Sequence, residues 1–259
     1  KIDSTPFDTS NKLYVDMTIG GWKCKCEEGL FSCEKDRHEE DVMSKMKERL
    51  AIDLLAVTNK FPPHACKLLK EDTPIWINKR LKYGPRSAPV LGRGMCFHPY
   101  PAWLVDNGMS ASKCGGVEMY EAGSYLDDVE SWFGKGGVMM HELSHAWHCK
   151  FVKDGYDNKE IKECYEAAMK EKLYDCVKVH DKDGATSECK AYACTDAMEY
   201  FAELSVAFLG GIGPDEDLEY NKWYPFNRKQ LRKHDPRAFE LLQKMWGLND
   251  EEEIIVNGE

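Results

Sequence analysis

Along residues 13–26 apolar and polar positions alternate, interrupted at Gly20-Gly21. That pattern predicts two strands joined by a turn, with Cys24 and Cys26 on one face. Over 39–59 the period lengthens. Val42, Met46, Leu50, Leu54 and Val57 recur at helical spacing, and Phe61-Pro62-Pro63 marks the stop. Residues 73–78, with Ile75, Trp76 and Ile77, predict a buried strand, and 92–103 a loop-and-strand region containing Cys96 and His98. A short strand follows at 116–120, then a polar helix over 125–132 and a glycine turn at 134–137. The turn launches a helix whose flanks are Val138, Met139, Met140, Leu143, Ala146 and Trp147. Further on, the pattern predicts an amphipathic helix over 159–174 and a hairpin over 176–193, turned by Asp181-Lys182-Asp183-Gly184. A third helix spans 195–209. A last one starts with Asp235 as N-cap and Pro236 at its first position, and stops at Gly247. Residues 1–11 form an irregular lead-in. No repeat or flexible linker divides the chain, so 1–259 is expected to form one α+β domain. Its lobes are expected near 12–135, carrying the sheet, and 136–250, mainly helical.

The apolar helix after Gly137 carries His141-Glu142-Leu143-Ser144-His145, an H-E-x-x-H pattern. Positions i and i+4 share a helical face, so both imidazoles can reach one metal ion. Glu142 is rotated about 100° away, near enough to a metal-bound water without taking a coordination site. Polar groups among Met, Val and Trp side chains are costly without partners. Two His ligands for zinc and a Glu as general base supply that partner.

A hydrolytic zinc takes three protein ligands and keeps one position for water. His148 lies two turns beyond His141, a rise of about 10 Å, too far for one ion on a continuous helix. The H-E-x-x-H-x-x-G-x-x-H pattern also fails, because His148 and Phe151 stand where its Gly and third His belong. The better candidates are Glu199 and Glu203, four apart on one face of an otherwise apolar helix. A capping box with Asp196 accounts for Glu199 and leaves Glu203 unexplained. Glu199 as the ligand, with Glu203 orienting a metal-bound His, accounts for both.

H-E-x-x-H followed at a distance by a helical Glu is the gluzincin pattern. The run from Tyr192 through Thr195 to Glu199-Tyr200-Phe201-Ala202-Glu203 resembles the matching segment of the anthrax lethal factor catalytic domain. More loosely, the chain from Gly21-Trp22 to Trp246 resembles secreted lethal-factor-like peptidases. Further landmarks are Pro74-Ile75-Trp76, Cys114-Gly115-Gly116-Val117-Glu118, Tyr224-Pro225-Phe226 and His234-Asp235-Pro236. The resemblance implies a zincin-like fold with the active-site helix at a cleft between the lobes. It implies one Zn²⁺ per chain on His141, His145 and Glu199, Glu142 as general base, and Tyr192 as donor to the transition state. It also implies that Gly116, Val117, Glu118, Met119 and Tyr120 form an edge strand pairing with an extended peptide. Peptide-bond hydrolysis by a zinc-activated water is the expected activity. Two alternatives stay open: a catalytically silent, zinc-containing secreted binding protein, and a zinc hydrolase of a non-peptide substrate.

The net charge of −10 argues against a nucleic-acid partner. With 42% hydrophobic residues the chain can build a sizeable core, yet no apolar run approaches the roughly 18 residues of a membrane span. Eleven cysteines without paired C-x-x-C knuckles predict disulfides in an oxidising, extracellular compartment, with at least one thiol left over. This cysteine content departs from the family's bacterial members. The start at Lys1 predicts a processed N-terminus, and no N-x-S/T sequon supports glycosylation.

Overall fold

The computed structural model describes residues 9, 11–31, 37–130, 136–180, 186–211 and 217–248. The 181–184 turn, most of the 1–11 lead-in, Cys33, Ser131-Trp132 and Gly134 lie outside the described residues. Two compact units form: 1–55 with 68–128, and 56–67 with 129–259.

In the first unit, β1 (Tyr14–Ile19) and β2 (Trp22–Glu27) make the expected hairpin, closed by the pair Ile19↔Trp22. Gly20 and Gly21 have φ of 55° and 82°, as a two-residue turn of this hand requires. A Cβ at Gly20 would sit 2.8 Å from Leu54 Cβ, so the turn also needs the bare backbone. Trp22, Cys24 and Cys26 all face inward, as the alternation predicts. The helix α1 (Arg37–Lys60) buries Met43, Met46, Leu50, Leu54 and Val57.

The prolines at 62–63 end α1 but also begin a helix that the pattern did not reveal, α2 (Pro63–Asp72). Pro62 O accepts from Cys66 N at 2.9 Å, which leaves Pro63 at the first helical position. Next come β3 (Ile75–Ile77), the short pair β4 (Lys82–Tyr83) and β5 (Val90–Leu91), and β6 (Met95–Phe97). These are followed by α3 (Pro101–Asp106), β7 (Val117–Met119) and α4 (Tyr125–Glu130).

The main sheet has the order β1-β2-β3-β7-β6. Strands β2, β3 and β7 run parallel, with β1 and β6 antiparallel at the edges. The expectation of a free edge at 116–120 therefore fails. Both sides of β7 are hydrogen-bonded, to β3 and to β6, so no edge remains for a peptide. Glu118 is turned into the core, where Asn78 Nδ2 donates to it at 2.8 Å and His98 Nε2 lies 2.7 Å away. The buried Lys113 ammonium also donates to Glu118. Burial pushes the Glu118 carboxyl up, but His98 and Lys113 outweigh it and hold the pKa below the usual range.

The second unit contains α5 (Gly137–Lys150), α6 (Lys159–Lys170), β8 (Val177–His180), β9 (Thr186–Cys189), α7 (Ala197–Gly210), α8 (Arg228–His234) and α9 (Pro236–Met245). Helices α5 and α7 pack against each other as its centre. Trp246 stacks on Trp147 at 5.2 Å, and its Nε1 donates to Ser205 Oγ at 3.0 Å. Asp235 caps α9 through Ala238 N, as its position predicts, while its other oxygen accepts from Tyr174 and Tyr200. The architecture is mixed α+β with a small mixed sheet. No helix of the described residues is long and apolar enough to cross a membrane. No two of the ten described cysteines lie at disulfide distance.

Candidate metal centre

The helix α5 is buried along nearly its whole length, from Met139 to His148. With no solvent face to offer, its polar side chains depend on one another and on α7. Gly136, at φ 83°, precedes the first turn, a conformation that suits glycine. His141 and His145 project from one face, with their rings 4.7 Å apart and nearly perpendicular.

Asp196 starts α7. Its Oδ1 accepts from Met198 N at 2.8 Å and Glu199 N at 2.9 Å, which fixes the first turn. The Glu199 carboxylate does not fold back to complete a capping box; it reaches across to α5. Glu199 Oε2, His141 Nε2 and His145 Nε2 each lie 3.1 Å from the other two. One turn along α7, the fully buried Glu203 places Oε1 3.0 Å from His141 Nδ1. Glu199 and Glu203 thus address opposite nitrogens of a single imidazole. Among the described residues this trio is the group that could hold a metal ion.

A neutral imidazole carries one N–H. With that proton on Nδ1 facing Glu203, His141 turns its Nε2 lone pair toward Glu199 Oε2 and His145 Nε2. Three electron-rich atoms so close need a cation between them. Zinc bonds of about 2.0–2.1 Å in tetrahedral arrangement space the donors about 3.3 Å apart, close to what is found. The residues fit a divalent metal of this kind. Without one, the cluster holds a proton instead. Burial opposes charge on His141, but Glu199 and Glu203 outweigh it and raise its pKa. Burial likewise works against the Glu199 carboxylate, and the two imidazoles overcome it, so its pKa is held low.

Glu142 is not one of the converging donors. It is 8% exposed, and its charge acts on both His141 and Tyr192. Tyr192 begins a short 3₁₀ turn ahead of α7, with its ring 6.3 Å from that of His141. Burial, then the charge of Glu199 and a hydrogen bond to it, push the phenol pKa up, so Tyr192 stays protonated at neutral pH. His148 lies off the trio, as the helical rise predicts. It is 1% exposed, packed 4.9 Å from the Tyr156 ring and 4.7 Å from Phe201, and burial pulls its pKa down to about 3. The strand 117–119 belongs to the other unit and contributes no donor to the trio.

Sequence reasoning missed Trp223, whose indole stacks on Tyr192 at 5.8 Å. The run Trp223-Tyr224-Pro225-Phe226 was visible as an aromatic cluster, but nothing in its spacing tied it to the histidines. Neither a family model, nor a curated protein, nor a solved structure matches this chain.

Proposed function

We propose that this chain is a zinc-dependent metallopeptidase of the gluzincin type, with a zincin-like fold. The observation that carries the reading is the mutual 3.1 Å approach of His141, His145 and Glu199, braced by Glu203 at 3.0 Å. His141, His145 and Glu199 would hold the ion. Zinc bound there supplies a Lewis acid that acidifies water and polarises a carbonyl.

The protein's own residues do the rest. Glu142, which follows the first His, takes a proton from the attacking water and returns it to the leaving amine. The buried environment keeps the proton that Glu142 has taken from escaping to bulk solvent before it reaches the amine. Tyr192 remains a phenol, so its hydroxyl donates to the oxygen on which negative charge develops. The Glu203 carboxylate, 3.0 Å from His141 Nδ1, favours the tautomer with its proton on Nδ1, which leaves Nε2 unprotonated for the metal.

Digestion of a peptide library tests the proposal. The zinc-loaded parent should cleave, and Glu142→Gln should bind zinc equally well and cleave nothing. Zinc bound without cleavage of any peptide would favour a silent binding protein or a hydrolase of another bond.

A further inference from the structure

In the segment after residue 217, Trp223 stacks on Tyr192, the ring that neighbours His141 of the candidate metal centre. Residues 222–224 lie alongside β8 as an added strand. His180 N donates to Lys222 O at 3.0 Å, Tyr224 N donates to Lys178 O at 2.8 Å, and Trp223 pairs with Val179 in an antiparallel bridge. Asn221 Nδ2 adds a bond to Trp223 O at 2.8 Å. The backbone carrying the indole is thereby fixed on both sides, although the segment has no regular structure of its own. The indole is half-buried and stacks on Tyr192, which is 44% exposed and adjacent to His141. A 5.8 Å separation at 24° is an offset stack, which leaves part of both ring faces uncovered. Lys222 Nζ lies 5.0 Å from the indole centroid and adds a cation at its margin.

We propose that Trp223 and Tyr192 together form an aromatic wall of the active site, against which an apolar or aromatic side chain of the peptide substrate packs. This inference rests on the zinc-peptidase reading and extends it to substrate class. Two observations support it. Aromatic side chains left partly open beside a few convergent polar groups are the usual lining of a ligand site. With its backbone docked on β8 and its ring stacked on Tyr192, Trp223 has less conformational freedom to lose when a side chain lands on it.

The test uses zinc-loaded full-length protein and two probes, acetohydroxamate and a hydroxamate bearing a benzyl group, with binding measured by calorimetry. The parent should prefer the benzyl probe by about tenfold, the expected return for covering part of one aromatic ring. In Trp223→Ala that preference should vanish, while zinc content and acetohydroxamate affinity stay at parental values. Trp223→Phe should keep most of it. If Trp223→Ala does not fold, Trp223→Leu carries the same comparison. Retention of the preference without Trp223, or its absence in the parent, overturns the inference. Equal weakening of both probes in Trp223→Ala, with zinc retained, also overturns it, because the indole would then act only by holding Tyr192. Failure of the parent to bind zinc has a different signature and removes the peptidase reading itself, and this inference with it.

Discussion

Glu203 offers the sharpest single perturbation. Its carboxylate is 1% exposed and stands 3.0 Å from His141 Nδ1, itself on a buried ring. A hydrogen bond from an imidazole to a carboxylate, away from water, is worth about 1.5–3 kcal/mol. If Glu203 fixes the metal-binding tautomer, most of that should appear in metal affinity, in line with the 10–100-fold losses (roughly 1.4–2.7 kcal/mol) seen when such partners are removed. Glu203→Gln keeps an oxygen acceptor and should weaken zinc binding about tenfold; Glu203→Leu removes it and should lose about a hundredfold. Competition titration against a fluorescent zinc chelator reads both values. Metal-free stability should fall as well. Glu203→Leu removes one partner of a buried pair and leaves a protonated His141 facing Glu199 alone, so it should cost about 3–5 kcal/mol in denaturant unfolding. The pH dependence carries a further sign. Glu203 helps raise the His141 pKa in the metal-free chain, so protons compete with zinc more strongly in the parent than in Glu203→Gln. The affinity gap between them should therefore narrow as pH falls. Parental zinc affinity in both variants would refute the role assigned to Glu203.

Burial holds His148 at a pKa of about 3, well below the unfolded value of about 6.5. The unfolded chain thus binds its proton first, and stability should be lost as pH falls from 6.5 toward 3, by about 2 kcal/mol at pH 5. Urea unfolding of His148→Leu should show a flatter acid limb than the parent, and an identical limb would contradict this. Lys113→Met leaves the Glu118 carboxylate buried beside His98 with one cation removed, and should cost about 3–5 kcal/mol in denaturant unfolding. A loss below that of an ordinary surface substitution would mean the Lys113–Glu118 pair carries no such weight. Tyr192→Phe should lower kcat by about a hundredfold while zinc affinity and KM change little, because the hydroxyl is needed where charge develops. An unchanged kcat would remove Tyr192 from the chemistry.

Much of the candidate metal centre was legible in the sequence because its signals are local. His141 and His145 share a helical face by spacing alone, and the burial implied by Met139, Met140 and Trp147 demanded a partner for them. Glu199 and Glu203 stood out as two carboxylates on an apolar helix. Asp196 does cap that helix through Glu199 N, so the local capping signal was real, but the Glu199 carboxylate goes to the imidazoles. What could not be read depends on long-range pairing. The alternation at 116–120 identifies a strand but does not say who its neighbours are, and β6 and β3 occupy both sides of it. Pro62-Pro63 signals a helix end and a helix start with the same residues, and only the stop was read. Lys113 is buried through ion pairing with a residue five positions on, against the usual exposure of lysine. Trp223 reaches Tyr192 because 222–224 docks on β8, a pairing that leaves no periodic trace in so short a segment.

Metal content of the purified protein, measured beside Glu199→Ala and His148→Ala, tests the central claim most directly. The account predicts one zinc per chain in the parent and in His148→Ala, with zinc lost from Glu199→Ala. Zinc retained without Glu199, or absent from a parent offered zinc in excess, would contradict it.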